Sequence, residues 1–343
     1  MIRLSDHDLA FRPLVAVVGP TAVGKSEIGV ILARALGTEV LAADSRQVYH
    51  GMDIATDKPT LDQRQGVPHQ LIDLVEPDQR FNAGMYRQAA LREIERLYGE
   101  RKLPLVVGGT GLYVRTLVRG LCEAPQGDPV VREELLDLAR RREKGYLHRE
   151  LARVDPELAR GLHPNDEVKI IRALEVQRLS GRPLSEAHRQ HRSDTPSWSP
   201  LILGLMRDRE TLYARIEQRV DTFFTNGVVR ETAELLARGY GRGLASMKGL
   251  GYRQVAGFLA GDYGYEEAVR RLKRDTRHFA KRQLTWFRRE PGIVWVTAGD
   301  LEKPEHAAGT LLAHVETFLT GLRQRPQGSA PAAPIERRKV AAG

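Results

Sequence analysis

Leu14-Val15-Ala16-Val17-Val18-Gly19-Pro20-Thr21-Ala22-Val23-Gly24-Lys25-Ser26 is the stretch from which the fold can be read. An apolar run, residues 14–18, has the length and β-branched content of a buried strand. It leads directly into the pattern G-x-x-x-x-G-K-[ST], and residues 24–36 then carry helical periodicity. Strand, glycine loop and helix in that order form a cradle for a polyphosphate. The glycines let the main chain wrap with its N–H groups inward, and the helix directs its positive end at the anion. Lys25 adds a point charge and Ser26 a hydroxyl suited to Mg²⁺. The loop residues Gly19, Pro20, Thr21, Ala22, Val23, Gly24, Lys25 and Ser26 are therefore expected to bind a phosphate compound, whose identity the loop alone leaves open.

Beyond the loop, β-rich runs at 39–43, 70–75 and 105–107 alternate with helical patterns at 83–98 and 111–118. That alternation predicts a mostly parallel sheet with helices packed on it. Between 122 and 198 the β-runs stop and the chain becomes dense in Arg, Glu and Leu with helical spacing. Residues 201–205 return the chain to the sheet, and 293–296 supply a last strand. The expected organisation is a discontinuous core domain, 12–121 and 199–321, interrupted by a helical insertion domain, 122–198. Residues 322–343, poor in large apolar side chains, read as a disordered tail.

The chain has 343 residues, 41% of them hydrophobic and 28% charged, which suits a soluble globular protein with a large core. A single cysteine, Cys122, excludes an internal disulfide framework and fits a reducing compartment. No apolar run approaches the ~20 residues of a membrane span, so the expected location is the cytoplasm. A formal charge of +9 and a pI near 9.7 point to a polyanionic partner.

Several other segments bear on chemistry. The run at 39–43 ends in Asp44-Ser45-Arg46-Gln47, and ligands of parallel sheets bind at the carboxyl ends of the strands. Asp44 should then face the phosphate loop as a general base or a Mg²⁺-anchoring carboxylate, the alternative being an Asp that caps a turn. A second glycine turn, Gly108-Gly109-Thr110-Gly111, lies at the same edge; Thr110 either points its hydroxyl into the site or caps the following helix. Residues 270–289 hold nine Arg or Lys against one Asp, with Phe279, Trp286 and Phe287 interleaved. Helical spacing puts Arg270, Arg274, Arg277, Lys281 and Arg288 on overlapping faces, a combination suited to an RNA backbone and unpaired bases. Lys248-Gly249-Leu250-Gly251-Tyr252-Arg253 is a further basic, glycine-opened turn. His188 and His191 lack a third ligand for zinc and read as surface histidines.

Taken together, GPTAVGKS, DSRQVYHGMDIATDKP, PHQLID, VVGGTGLY, HPNDEVKIIRALEV, RIEQR, KGLGYRQ and AKRQLTWFRR resemble, in this order and over about residues 12–321, the bacterial tRNA dimethylallyltransferases (the tRNA isopentenyltransferase or IPP transferase family). The resemblance implies an α/β fold with a P-loop NTPase-like parallel sheet core and a helical insertion that binds the tRNA anticodon arm. It implies transfer of a dimethylallyl group from dimethylallyl diphosphate to N6 of the adenosine immediately 3′ of the anticodon, by a monomeric enzyme with Mg²⁺ near Ser26. Gly19 to Ser26 and Arg219 would hold the diphosphate, Asp44 would be the general base, and Thr110 the second polar contact in the active site. Asp44, Ser45, Arg46, Gln47 and Thr110 would touch the target nucleotide and its neighbours. Arg132, the segment Val168, Lys169, Ile170, Ile171 and Arg172, the turn Lys248 to Arg253, and Lys281, Arg282, Gln283 and Arg288 would contact RNA. Ala55-Thr56-Asp57 departs from the family's usual Gly-Thr-Ala, as do Lys169 and His50 from the residues common at their positions; these departures are expected to bear on local RNA contacts and not on the reaction. The residues alone also admit a small-molecule kinase, a prenyltransferase of free adenine nucleotides, or an RNA-binding ATPase.

Overall fold

The computed structural model describes residues 2–122, 124–192, 198–298 and 303–326. The chain divides into two compact units, one formed by Met1–Arg119 with Ser197–Gly343 and the other by Gly120–Pro196.

In the first unit six strands, β1 (Pro13–Val18), β2 (Val40–Ala42), β3 (His69–Gln70), β4 (Leu105–Gly108), β5 (Ser199–Met206) and β6 (Ile293–Thr297), form one parallel sheet in the order β3-β2-β4-β1-β5-β6. Every residue of β1, β2 and β4 is buried. That is why these strands are uninterrupted apolar runs: helices cover both faces of a parallel sheet. The order places β1 between β4 and β5, with Val17 opposite Val107 and Leu203, so the carboxyl ends of β2, β4 and β1 lie side by side. Gly108 is required where β4 meets β2, since a Cβ there would lie 2.1 Å from the Ala43 carbonyl oxygen.

Two segments differ from the sequence expectation for physical reasons. Only His69 and Gln70 of the predicted strand 70–75 pair in the sheet. The chain then turns through left-handed Leu71 (φ 67°) and Asp73 (φ 51°), and Asp73 and Leu74 donate their N–H groups to the carbonyls of Gln47 and Val48. The buried ammonium of Lys58 holds this turn by binding Asp73 and Asp53 together with the Tyr49 carbonyl. At the other end the helix Pro304–Arg323 buries Leu311, Val315, Leu319 and Leu322, so ordered chain extends beyond the expected tail boundary at 322. Residues 327–343 of that tail lie outside the described residues. Buried Asp8, in the helix Asp6–Ala10, accepts from the Arg323 guanidinium and joins the two ends of the unit.

The second unit is wholly helical among its described residues and has its own apolar core, in which Leu135, Leu147, Leu151, Ile170 and Leu174 meet. Asp155 caps the helix Pro156–Gly161 by accepting from Leu158 N–H and takes Ser185 N–H on its other oxygen.

Candidate active site

The phosphate loop leaves β1 at Gly19 and enters the helix Lys25–Leu36 through Gly24, which holds φ 106°. A Cβ at Gly19 would lie 2.7 Å from the Leu205 carbonyl oxygen, so the loop can pass β5 only as glycine. Three residues far along the chain pin the loop. Arg207 and Arg215 donate to the carbonyls of Val23 and Ala22 at 3.0 and 2.9 Å, and Arg219 donates through Nη1 to Thr21 Oγ1 at 3.0 Å. Lys25 folds its ammonium back onto the Pro20 carbonyl at 2.6 Å. Burial, joined by the Arg219 cation, pushes this lysine down to about 7, although Asp44 and Asp57 pull the other way. Ser26 is exposed in the first turn of the helix, where its hydroxyl and a bound phosphate can share a cation.

Asp44 follows β2 and is half-buried; its Oδ1 accepts the Arg46 N–H at 2.8 Å, an Asx turn that fixes the carboxylate at the strand end. The next turn interlocks with it. Thr110 N–H donates to the Ala43 carbonyl, and Thr110 Oγ1 accepts from Ser45 N–H at 3.0 Å. The Thr110 hydroxyl therefore serves the Asp44 turn instead of capping the helix Gly111–Arg119 behind it. Gln47 donates its amide to the carbonyls of Thr56 and Asp57, and Arg46 reaches the Ala245 carbonyl at 2.8 Å.

Gln283 joins the two glycine turns. Its Oε1 accepts Thr21 N–H at 2.8 Å while its Nε2 donates to the Gly109 carbonyl at 2.9 Å. A buried side chain so committed is not open to RNA, which corrects its expected role: it sets the distance between the phosphate loop and the Thr110 turn. The sequence holds a signal for this. Leu272, Thr276, Ala280, Gln283 and Phe287 form the buried stripe of the helix Tyr265–Arg289, and a glutamine on such a stripe needs partners. Arg207 and Glu231 lie outside the segments that carry the resemblance, and Arg215 and Lys58 lie within them without an expected role. Glu231 accepts the N–H groups of Asp53 and Ile54 and the Tyr252 hydroxyl, anchoring the turn that carries Asp57.

A strand-end carboxylate beside a phosphate loop allows a proton to leave a nucleophile while a diphosphate leaves an electrophile. The family model described as IPP transferase matches residues 47–290. The chain belongs to the IPP transferase family. Among curated relatives it is 47% identical over 304 residues to the tRNA dimethylallyltransferase of Desulforudis audaxviator, covering 89% of this chain and 98% of that one. It is 50% identical over 288 residues to the enzyme of the same name from Syntrophobacter fumaroxidans, with 84% of each covered. Among solved structures, the tRNA isopentenylpyrophosphate transferase of Bacillus halodurans aligns with a TM-score of 0.68 at 35% identity, over 92% of this chain and 98% of that one. A eukaryotic dimethylallyltransferase acting on tRNA aligns with a TM-score of 0.78 at 25% identity, over 94% and 82%.

Within this IPP transferase several residues expected to touch RNA have other work. Ile170 and Ile171 are buried in the core of the second unit; Val168, 82% exposed, and Lys169 are on the surface. Arg132 and Arg172 both donate to fully buried Glu175, and Arg172 also to the Pro125 carbonyl, so both hold their own unit together. Tyr252 is buried with its hydroxyl on Glu231, and Gly249 and Gly251 are enclosed; Lys248 is exposed, Arg253 is exposed but pairs with Asp275 at 2.9 Å, and Leu250 is half-buried between them. On the long basic helix, Arg270, Arg274 and Arg277 are paired with Glu267, Asp275 and Glu217. Lys281, Arg282 and Arg288 are exposed with no acidic partner among the described residues, which shortens the expected positive stripe to its carboxyl-terminal half. Phe287 is core, and Trp286 lies under the Arg115 guanidinium, 4.1 Å from its ring centre. The departure at Asp57 also proves to reach the phosphate site, since its carboxylate pairs with Arg219 at 2.5 Å. Among the described residues no cluster of three His, Cys, Asp or Glu is placed to hold a metal, and no helix is long and apolar enough to cross a membrane.

Proposed function

We propose that this chain transfers the dimethylallyl group of dimethylallyl diphosphate to N6 of the adenosine immediately 3′ of the anticodon in tRNA. One observation carries the site assignment: the Asp44 carboxylate and the phosphate loop occupy one sheet edge and are joined there through Thr110 and Gln283. The N6 lone pair is delocalised into the adenine ring, so N6 attacks only as its proton is removed. Asp44 takes that proton while the N–C bond forms and the C–O bond to the diphosphate breaks. Thr110 and the Ser45 to Gln47 turn hold the base beside it. Charge gathers on the departing pyrophosphate, where the loop N–H groups, Lys25 and Arg219 receive it. An adenine stacked in RNA cannot reach such an edge, so the nucleotide is turned out of its stack first.

Mg²⁺ fits the donors present. It takes one or two protein oxygens with phosphate oxygens and water, and Ser26 with the diphosphate would hold it, adding charge neutralisation at the leaving group. Exposed Lys248, Lys281, Arg282 and Arg288 supply cations for the RNA backbone. The chain acts as a monomer in the cytoplasm.

The test is incubation with unmodified tRNA, and separately with AMP, each with dimethylallyl diphosphate or ATP. Prenylated tRNA with one pyrophosphate released per transfer is expected. Prenylated AMP alone, or ADP formed in step with tRNA or AMP, would replace this reading with one of the three alternatives.

A further inference from the structure

Arg219 is shared. Its Nη1 donates to Thr21 of the phosphate loop and its Nη2 pairs with Asp57 Oδ2 at 2.5 Å. The carboxylate cannot easily withdraw, because its main chain is fixed on every side. Asp57 N–H donates to the Ile54 carbonyl and its own carbonyl accepts from Gln47, while the next residue is Lys58, whose ammonium is locked by Asp53, Asp73 and Tyr49. The arginine, by contrast, does not depend on Asp57 for its place, since Thr21 holds one edge and the Phe223 ring lies 5.5 Å below it. A negative charge has thus been built beside the cation that would receive another negative charge.

We propose that Asp57 is a positioning residue that competes with the diphosphate for Arg219 and so hastens the release of pyrophosphate. The inference rests on the reading that Arg219 and the loop hold the diphosphate. An incoming diphosphate either displaces the Asp57 carboxylate from Nη2 or stays beside a like charge; both weaken its binding. During the reaction this opposes substrate and product alike. After transfer it favours departure, because the carboxylate is at hand to take back the guanidinium as each phosphate oxygen lets go.

The test compares wild type, Asp57→Asn, Asp57→Gly and Arg219→Gln for binding of inorganic pyrophosphate and of dimethylallyl diphosphate. It is run at about pH 6 and again at about pH 5, both below the value of about 7 at which burial holds Lys25 in the wild type, because Asp57 itself helps to raise that value. Glycine accepts the left-handed φ of 51° at this position without strain, so it carries the test should the asparagine variant misfold. Both Asp57 variants should bind pyrophosphate about tenfold tighter, as expected when a charge-assisted competitor at a partly exposed site is removed. Their KM for dimethylallyl diphosphate should fall and inhibition by pyrophosphate should strengthen. A merely structural role for Asp57 would instead lower the melting midpoint and raise KM. Wild-type or weaker affinity in folded Asp57 variants, with Arg219→Gln weakened about tenfold, overturns the competition and leaves the diphosphate assignment standing. Unchanged affinity in Arg219→Gln overturns both.

Discussion

Lys25 carries its charge inside the loop that is to receive another, on a carbonyl of that same loop, and burial holds it down to about 7. Above that pH the lysine is expected to be neutral in the free protein, and an arriving diphosphate should restore the proton. Binding therefore takes up a proton above about pH 7, and affinity falls with rising pH by up to about tenfold per unit; below it the lysine adds no pH dependence. Calorimetry at about pH 8 in buffers of differing ionisation enthalpy should show this uptake in wild type and lose it in Lys25→Gln, the ligand's own titration being common to both. Asp44 is proposed to act on the other reactant. Asp44→Ala should lower the single-turnover rate by about 10²–10⁴-fold and leave tRNA affinity nearly unchanged, and a rate equal to wild type would remove it from the mechanism. Gln283 touches neither reactant. Gln283→Leu should strand Thr21 N–H and the Gly109 carbonyl, at about 1–3 kcal/mol for each group left buried without a partner, and should appear as a lower melting midpoint together with weaker diphosphate binding.

The helix Tyr265–Arg289 shows how far an element can be read from sequence. Its basic composition is plain in the chain, but the pairing of Arg270, Arg274 and Arg277 with Glu267, Asp275 and Glu217 depends partly on a neighbouring helix, so the positive face is shorter than helical spacing suggests. Replacing Lys281 and Arg282 with Ala should flatten the salt dependence of tRNA affinity by a log–log slope of about 0.7 for each lost single-strand phosphate contact. The pair Arg270 and Arg274, changed likewise, should leave the slope as it is; affinity titrated across several salt concentrations decides between them. Strands β1 and β4 are legible because burial on both faces writes itself as an unbroken apolar run. The Asp44 and Thr110 turns are legible because strand ends and glycines mark them. Strand β3 is overstated by its sequence because Lys58, a distant cation, draws the chain after Gln70 into a turn. Ile170, Ile171 and Tyr252 lie in segments that match a family pattern for RNA contact, but a pattern of residues does not say which side chains face inward.

At the scale of the whole first unit, the helix Asp6–Ala10 and the helix Pro304–Arg323 are fastened to each other by Asp8 and Arg323. Burial pushes the Asp8 carboxyl up, but the hydrogen bonds from Arg323 and Ser5 outweigh it and hold it below the usual carboxylate range. The group therefore stabilises the fold above the ordinary carboxylate pKa, and its contribution is lost as pH falls through the lowered value. Arg323→Ala should cost about 1–3 kcal/mol at neutral pH and much less in acid, which unfolding curves at two pH values would show. The phosphate loop has a related dependence on late residues. It occupies positions 19–26, yet Arg207, Arg215, Arg219 and Gln283 hold it, and β5 lies against β1 on one side. A ribosome thus writes the loop well before its supports. Nascent chains stalled short of Gln283 would expose the motif without the side chains that give it its geometry.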